Sequence, residues 1–148
     1  MTPHEIELVR TSFAQVVPIA ETAAGLFYDR LFELAPQVRA LFKGDMAEQG
    51  RKLMAMLRTV TVVLDKPDVL VPAAQRLAER HVGYGAEPAH YAVVGQALLD
   101  TLAKGLGPAF TPEVKAAWTT AYTTLSSVMI DAASAWKPGA APGAPTAA

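Results

Sequence analysis

From Ile6 onward the apolar residues of this chain recur at three- and four-residue steps, the spacing that gathers side chains on one face of a helix. Prolines cut the pattern into lengths. Thr2-Pro3-His4-Glu5 is a helix start: Thr2 caps, Pro3 takes the first helical position and Glu5 closes a capping box. Ile6, Leu8, Val9, Phe13, Val16 and Val17 follow, up to a corner at Pro18. The spacing predicts a second helix from about Ile19 to Leu34, ended by Pro36, which opens a short turn of helix through Val38 to Phe42. A third helix begins near Met46, carries Leu53, Met56, Leu57, Val60 and Leu64, and stops at Asp65-Lys66-Pro67-Asp68. The pattern resumes from Asp68 to His81 and is broken by Gly83 and Gly85. Pro88 starts a helix through Tyr91, Val94, Leu98, Leu99 and Leu102, which stops at Gly105-Leu106-Gly107-Pro108. Thr111-Pro112-Glu113 opens the last one, running to about Trp136. With 28 alanines, no internal repeat and no strand signal, the expectation is an all-α domain of six to seven helices over residues 1–136. Residues 137–148 hold three prolines and no large apolar side chain, and are expected to form a disordered Ala/Pro/Gly tail.

A chain of 148 residues with 51% apolar content is one domain with enough material for a core. Thirteen basic against fourteen acidic side chains argue against a nucleic-acid partner. No apolar run reaches the ~18 residues a bilayer requires, and the first residues lack the basic and apolar stretches of a secretory signal, so a cytoplasmic protein is expected. The absence of cysteine removes disulfides, thiolate nucleophiles, thiolate metal sites, iron–sulfur clusters and covalent haem.

Few side chains are left to carry chemistry. There is no glycine-rich phosphate loop and no GxSxG elbow, and none of the four serines has an evident base. Of the three histidines, His4 is expected at the surface and His90 stands beside Tyr91. His81 shares an apolar helix face with Leu77, four residues before it, and is either a satisfied core histidine or a ligand. No second histidine or carboxylate at helical spacing completes a zinc site. Any chemistry would be brought by a cofactor.

Several strings together bear on that choice. Phe27-Tyr28-Asp29-Arg30-Leu31-Phe32 followed by Pro36-Gln37-Val38-Arg39-Ala40-Leu41-Phe42 resembles the second and third helices of bacterial globins. Gln49-Gly50-Arg51-Lys52-Leu53-Met54 resembles the start of their distal helix, and Arg80-His81-Val82-Gly83-Tyr84-Gly85 with His90-Tyr91-Ala92-Val93-Val94-Gly95 their proximal segment and the helix after it. Ala116-Ala117-Trp118 with Ala121-Tyr122 is similar to the opening of the terminal helix. In order and spacing the resemblance is to single-domain bacterial haemoglobins and the haem domain of flavohaemoglobins, and it covers residues 1 to about 136.

The resemblance implies a globin fold around a haem crevice holding non-covalent b-type haem, with His81 as the iron ligand. Phe42 would stack on the haem, Leu53 wall the distal pocket, and Leu77 and Val94 line the proximal side. Tyr91 matches a position whose hydroxyl approaches the proximal histidine; the alternative is that it only packs the proximal wall. Lys52 and Arg80 would pair with the propionates, or remain solvated charges. Tyr28 and Gln49 would be distal hydrogen-bond donors to O2, each worth roughly 1.5–3 kcal/mol to a partly charged acceptor. The expected function is high-affinity binding of O2, and of CO and NO, for transport, storage or scavenging; the alternative is nitric oxide dioxygenation with an external reductase. Two departures bear on the alternative. The acidic residue that completes the proximal hydrogen-bonded set in flavohaemoglobins aligns with Ala133, Asp131 lying two positions earlier on another face, and no flavin or nicotinamide domain is expected after residue 136.

Overall fold

Three of the helices start where a side chain can satisfy their first N–H groups. The Thr2 hydroxyl accepts from the Glu5 amide at 3.1 Å while the Glu5 carboxylate accepts from the Thr2 amide at 2.9 Å. Asp45 accepts from the Ala47 amide at 3.0 Å, and Thr111 from the Val114 amide at 3.2 Å. The computed structural model describes residues 1–83 and 88–135, and contains no strand among them. Its six helices are α1 (Pro3–Val16), α2 (Ala20–Leu34), α3 (Met46–Val63), α4 (Pro67–Gly83), α5 (Pro88–Leu106) and α6 (Pro112–Ala135). Short 3₁₀ turns at Val17–Ile19, Pro36–Leu41 and Gly107–Ala109 make the corners. The tail expected at 137–148 lies outside the described residues.

Two boundaries differ from the sequence reading. α5 continues through Gly105 to Leu106 and ends at Gly107, whose φ of 55° only glycine adopts without strain. α4 begins at Pro67 itself and runs through Pro72, so proline initiates this helix and is carried inside it.

The helices pack as α2 on α5, α4 on α6, α1 on α6 and α2 on α3. α3 and α4, joined by a tight corner, hardly touch one another. The core between α1 and α6 centres on Phe13 and Trp118, whose rings lie 6.4 Å apart. The Trp118 indole donates to the Ser12 hydroxyl at 2.8 Å, and that hydroxyl donates to the Leu8 carbonyl at 2.7 Å. Both polar groups are thus satisfied inside an apolar core.

Two contacts fix α3. A Cβ at Gly50 would stand 2.9 Å from the Ala24 Cβ, so α2 and α3 approach as closely as glycine allows. At its other end the Arg10 guanidinium donates to the Thr61 and Val62 carbonyls, both at 2.8 Å, and pairs with Asp65 at 2.8 Å. That caps the last turn of α3 with a cation reaching from α1.

Candidate functional site

The site is built from α4 outward. His81 sits in its last turn, and the His81 Nδ1 lies 2.8 Å from the Leu77 carbonyl. A carbonyl only accepts, so Nδ1 carries the hydrogen and the lone pair of the neutral ring belongs to Nε2. Burial lowers the His81 pKa, the Leu77 bond opposes it, and the neighbouring Arg80 charge lowers it further, so the ring is neutral at pH 7. A neutral imidazole with its second nitrogen tied to a carbonyl has the form of a metal ligand with its orientation set.

Between α3 and α4, where the two helices fail to pack, lies a crevice of about 220 Å³. Met56, Val60 and Val63 of α3 face Leu70, Ala73 and Leu77 of α4 across it, with Arg80 at its edge. The walls are mostly apolar, with Thr59 and Arg80 as their polar members, and Leu77 stands one turn from His81, which does not itself line the crevice. Among the described residues no group of three His, Cys, Asp or Glu side chains could hold a bare metal ion. One imidazole beside an apolar slot is a donor set that suits iron already held by a flat, hydrophobic macrocycle, so the residues present fit a haem.

The candidate distal residues gather at the opposite end of α3. Gln49 follows the N-cap Asp45 by one turn, and the tight Ala24–Gly50 approach sets it against the Tyr28 turn of α2. Burial raises the Tyr28 pKa, opposed by hydrogen bonding from the Gln49 side chain. The buried Tyr28 ring makes edge contacts with Phe27 at 5.0 Å and Phe42 at 5.3 Å, and Phe42 meets Phe32 at 5.5 Å. The structure therefore brings Tyr28, Gln49 and Phe42 together. Leu53, one turn beyond Gln49, is half-buried against the core, as is Val94 on α5.

Tyr91 is buried on α5, and its hydroxyl oxygen is buried with no hydrogen-bond partner among the described residues. Its backbone carbonyl accepts from the Tyr122 hydroxyl at 2.6 Å. Asp131 is exposed and Ala133 half-buried, so α6 brings no carboxylate to the Tyr91 hydroxyl. Lys52 is half-exposed and lies 3.9 Å from Glu48, while Arg80 is exposed. His4 is exposed and 3.7 Å from Glu113, and His90 is half-buried at the start of α5.

Sequence reasoning missed the polar contacts that fasten this frame. Ser12–Trp118, the Arg10 clamp and the Arg30–Asp100 pair at 2.8 Å join helices 106, about 50 and 70 residues apart, beyond the reach of any local pattern.

An all-α fold that opens an apolar slot between two helices and sets a neutral imidazole beside it belongs to a small class of cofactor-holding folds. The Globin family model matches residues 25–129, and this chain belongs to the globin family. It is 35% identical over 133 residues to a flavohemoprotein of Xylella fastidiosa, and 34% identical over 128 residues to one of Rhodopirellula baltica. Those matches cover 88% and 84% of this chain but 33% and 31% of the relatives, so the chain spans about a third of their length. Among solved structures it superimposes with a TM-score of 0.81, at 27% identity over 90% of this chain and 94% of the other, on an engineered carbene transferase described as a nitric oxide dioxygenase from Rhodothermus marinus. It superimposes with a TM-score of 0.78, at 22% identity over 90% and 96%, on a bacterial globin from Campylobacter jejuni. Globins and flavohemoproteins bind haem. Among the described residues no helix is long and apolar enough to cross a membrane.

Proposed function

We propose that the chain holds a non-covalent b-type haem between α3 and α4 with His81 as its iron ligand, and binds diatomic gases, O2 above all, for carriage, storage or scavenging. The observation that carries this reading is the His81 ring: neutral, with Nδ1 committed to the Leu77 carbonyl and the lone pair on Nε2, one turn from the Leu77 side chain that lines the apolar crevice. Haem, when bound, would supply an iron able to bind a diatomic gas, with His81 holding it. The chain does the rest. Leu53, Leu77 and Val94 exclude water from the two faces, Phe42 stacks against the ring, and Tyr91 packs the proximal wall. Lys52 and Arg80 pair with the propionates. Tyr28 and Gln49 donate hydrogen bonds to the guest, and their mutual contact keeps both donors at the same spot.

Nitric oxide dioxygenation is the second reading, favoured by the flavohemoprotein relatives and by the Rhodothermus marinus neighbour. It needs a reductase to return the iron to the ferrous state. Sustained nitric oxide consumption with an added reductase supports it, and a single turnover per haem rejects it.

The test of the primary reading is stopped-flow O2 dissociation on the wild type, Tyr28→Phe and Gln49→Ala. Losing one bond worth roughly 1.5–3 kcal/mol speeds release about ten- to a hundredfold. An unchanged rate in Tyr28→Phe rejects the distal assignment, and unchanged visible absorption in His81→Ala rejects the ligand.

A further inference from the structure

The two walls of the crevice end in exposed stripes of like charge. On α3, Ala55 and Thr59 line the crevice, and Arg58 and Val62 follow the same stripe at three- and four-residue steps. On α4, Ala73 and Arg80 line it, with Val69 and Arg76 on their stripe. Arg58, Arg76 and Arg80 are exposed, and none forms an ion pair among the described residues, whereas Arg10, Arg30 and Lys52 do, with Asp65, Asp100 and Glu48. Val62 and Val69 are 56% and 45% exposed, on either side of the α3–α4 corner. Residues 46–83 hold six Lys and Arg against four Asp and Glu, in a chain whose net charge is −1. Of those four acids, Glu48 and Asp65 are paired with cations, leaving Asp68 and Glu79 beside the face. Unpaired cations around exposed apolar side chains have the anatomy of a protein-docking patch: an apolar centre, and a charged rim that steers the encounter.

We propose that this α3–α4 face docks an acidic one-electron carrier protein, which delivers its electron through the Leu77–His81 turn of α4. The inference rests on the haem reading above. The step balances simply: the reduced carrier loses one electron, ferric iron gains it, and no bond or proton moves. The face suits it because Arg80 is at once on the crevice edge and next to His81, so a carrier seated there lies within about one helical turn of the ligand. An acidic patch on the carrier meets Arg58 and Arg76, which give up no ion pair among the described residues to receive it.

The test uses ferric haem-loaded protein and an acidic flavodoxin as the probe. Calorimetric binding and stopped-flow reduction are measured at low and high salt for the wild type, for Arg58→Glu/Arg76→Glu, and for Lys104→Glu/Lys115→Glu. The last pair makes the same charge change on α5 and α6, away from the face. The expected result at low salt is roughly tenfold or greater loss of binding and of reduction rate in the arginine variant, closing at high salt, with the lysine variant within about threefold of wild type. Equal losses in both variants overturn the proposal, as does an arginine variant that binds and accepts electrons like the wild type. The Soret band is read first. A protein that takes up no haem rejects the reading on which the proposal rests, while a haem-loaded protein indifferent to the arginine reversals rejects the docking face alone.

Discussion

Tyr91→Phe should stabilise this protein, against the usual direction of a core substitution. Tyr91 is 8% exposed, and its hydroxyl oxygen is buried without a hydrogen-bond partner among the described residues. In the unfolded chain that hydroxyl is hydrated, so folding strips its water and returns nothing, at about 1–3 kcal/mol for an unsatisfied polar group. Phenylalanine keeps the ring and its packing and removes only the oxygen, so no cavity of consequence is left to offset the gain. A gain of about 1 kcal/mol is expected, a rise in Tm of roughly 3–5 °C for a domain of this size. Urea unfolding of the haem-loaded variant, followed by far-UV circular dichroism, should show a higher midpoint at unchanged slope. A loss of about 0.5 kcal/mol or more would refute the reasoning, because it requires a hydrogen bond to that oxygen in the native protein. The background variant Ala133→Glu sharpens the test. On the proposed reading, in which position 133 faces the Tyr91 hydroxyl, a carboxylate there gives the hydroxyl an acceptor, and Tyr91→Phe should become destabilising, reversing the sign of the effect.

Gly50→Ala trades the helix propensity it gains against a contact of 2.9 Å with the Ala24 Cβ, which cannot swing away, and a net loss of about 1–2 kcal/mol is expected by urea melt. Ser12→Ala leaves the Trp118 indole N–H buried and unsatisfied, which should cost about 1–3 kcal/mol and shift the tryptophan fluorescence; equal stability would mean that the indole finds another acceptor. The Asp100 pKa is raised by burial but lowered more by hydrogen bonds from Arg30 and Gln96, so its folded value lies below the ordinary 3.8. The contribution of this carboxylate is therefore present above the ordinary carboxylate range and lost as pH falls through the lowered value. Asp100→Asn should cost less than about 1 kcal/mol at pH 7, and the difference from wild type should vanish in acid; a difference that persists there assigns the loss to packing.

How far the sequence could be read depended on the range of the interaction. Helix starts are local, and Thr2, Asp45 and Thr111 cap their helices through contacts two or three residues long. The apolar stripe bearing Leu77 and His81 is local too, since a four-residue step decides it, and the bond between the His81 ring and the Leu77 carbonyl spans that same step. What joins one helix to another was not legible. Nothing in the neighbourhood of Arg10 says that it will close the end of a helix about 50 residues away, and Ser12 read as an idle hydroxyl until Trp118 reached it across 106 residues. The crevice belongs to the same category. It exists because α3 is held by α2 and α4 by α6, a property of four helices that no single stripe displays.

That division also bears on the choice between carrying a gas and transforming it. On the proposed reading the distal donors depend on a helix crossing, Ala24 on Gly50, that brings the Tyr28 and Gln49 side chains near one another. The proximal imidazole depends only on its own helix, with a neutral main-chain carbonyl as the acceptor the structure gives it. A carboxylate in that place would draw the imidazole toward imidazolate and strengthen its donation to a metal, whereas a carbonyl only orients it. With Ala133 on α6 and no partner for the Tyr91 hydroxyl among the described residues, the proposed site is one that holds a guest rather than one that pushes electrons toward it. On the proposed reading that favours retention of O2 over its activation. Resonance Raman spectroscopy separates the two through the iron–histidine stretch, which should rise in Ala133→Glu and stay in place in Tyr91→Phe. A stretch already at the higher frequency in the wild type would count against the carrier.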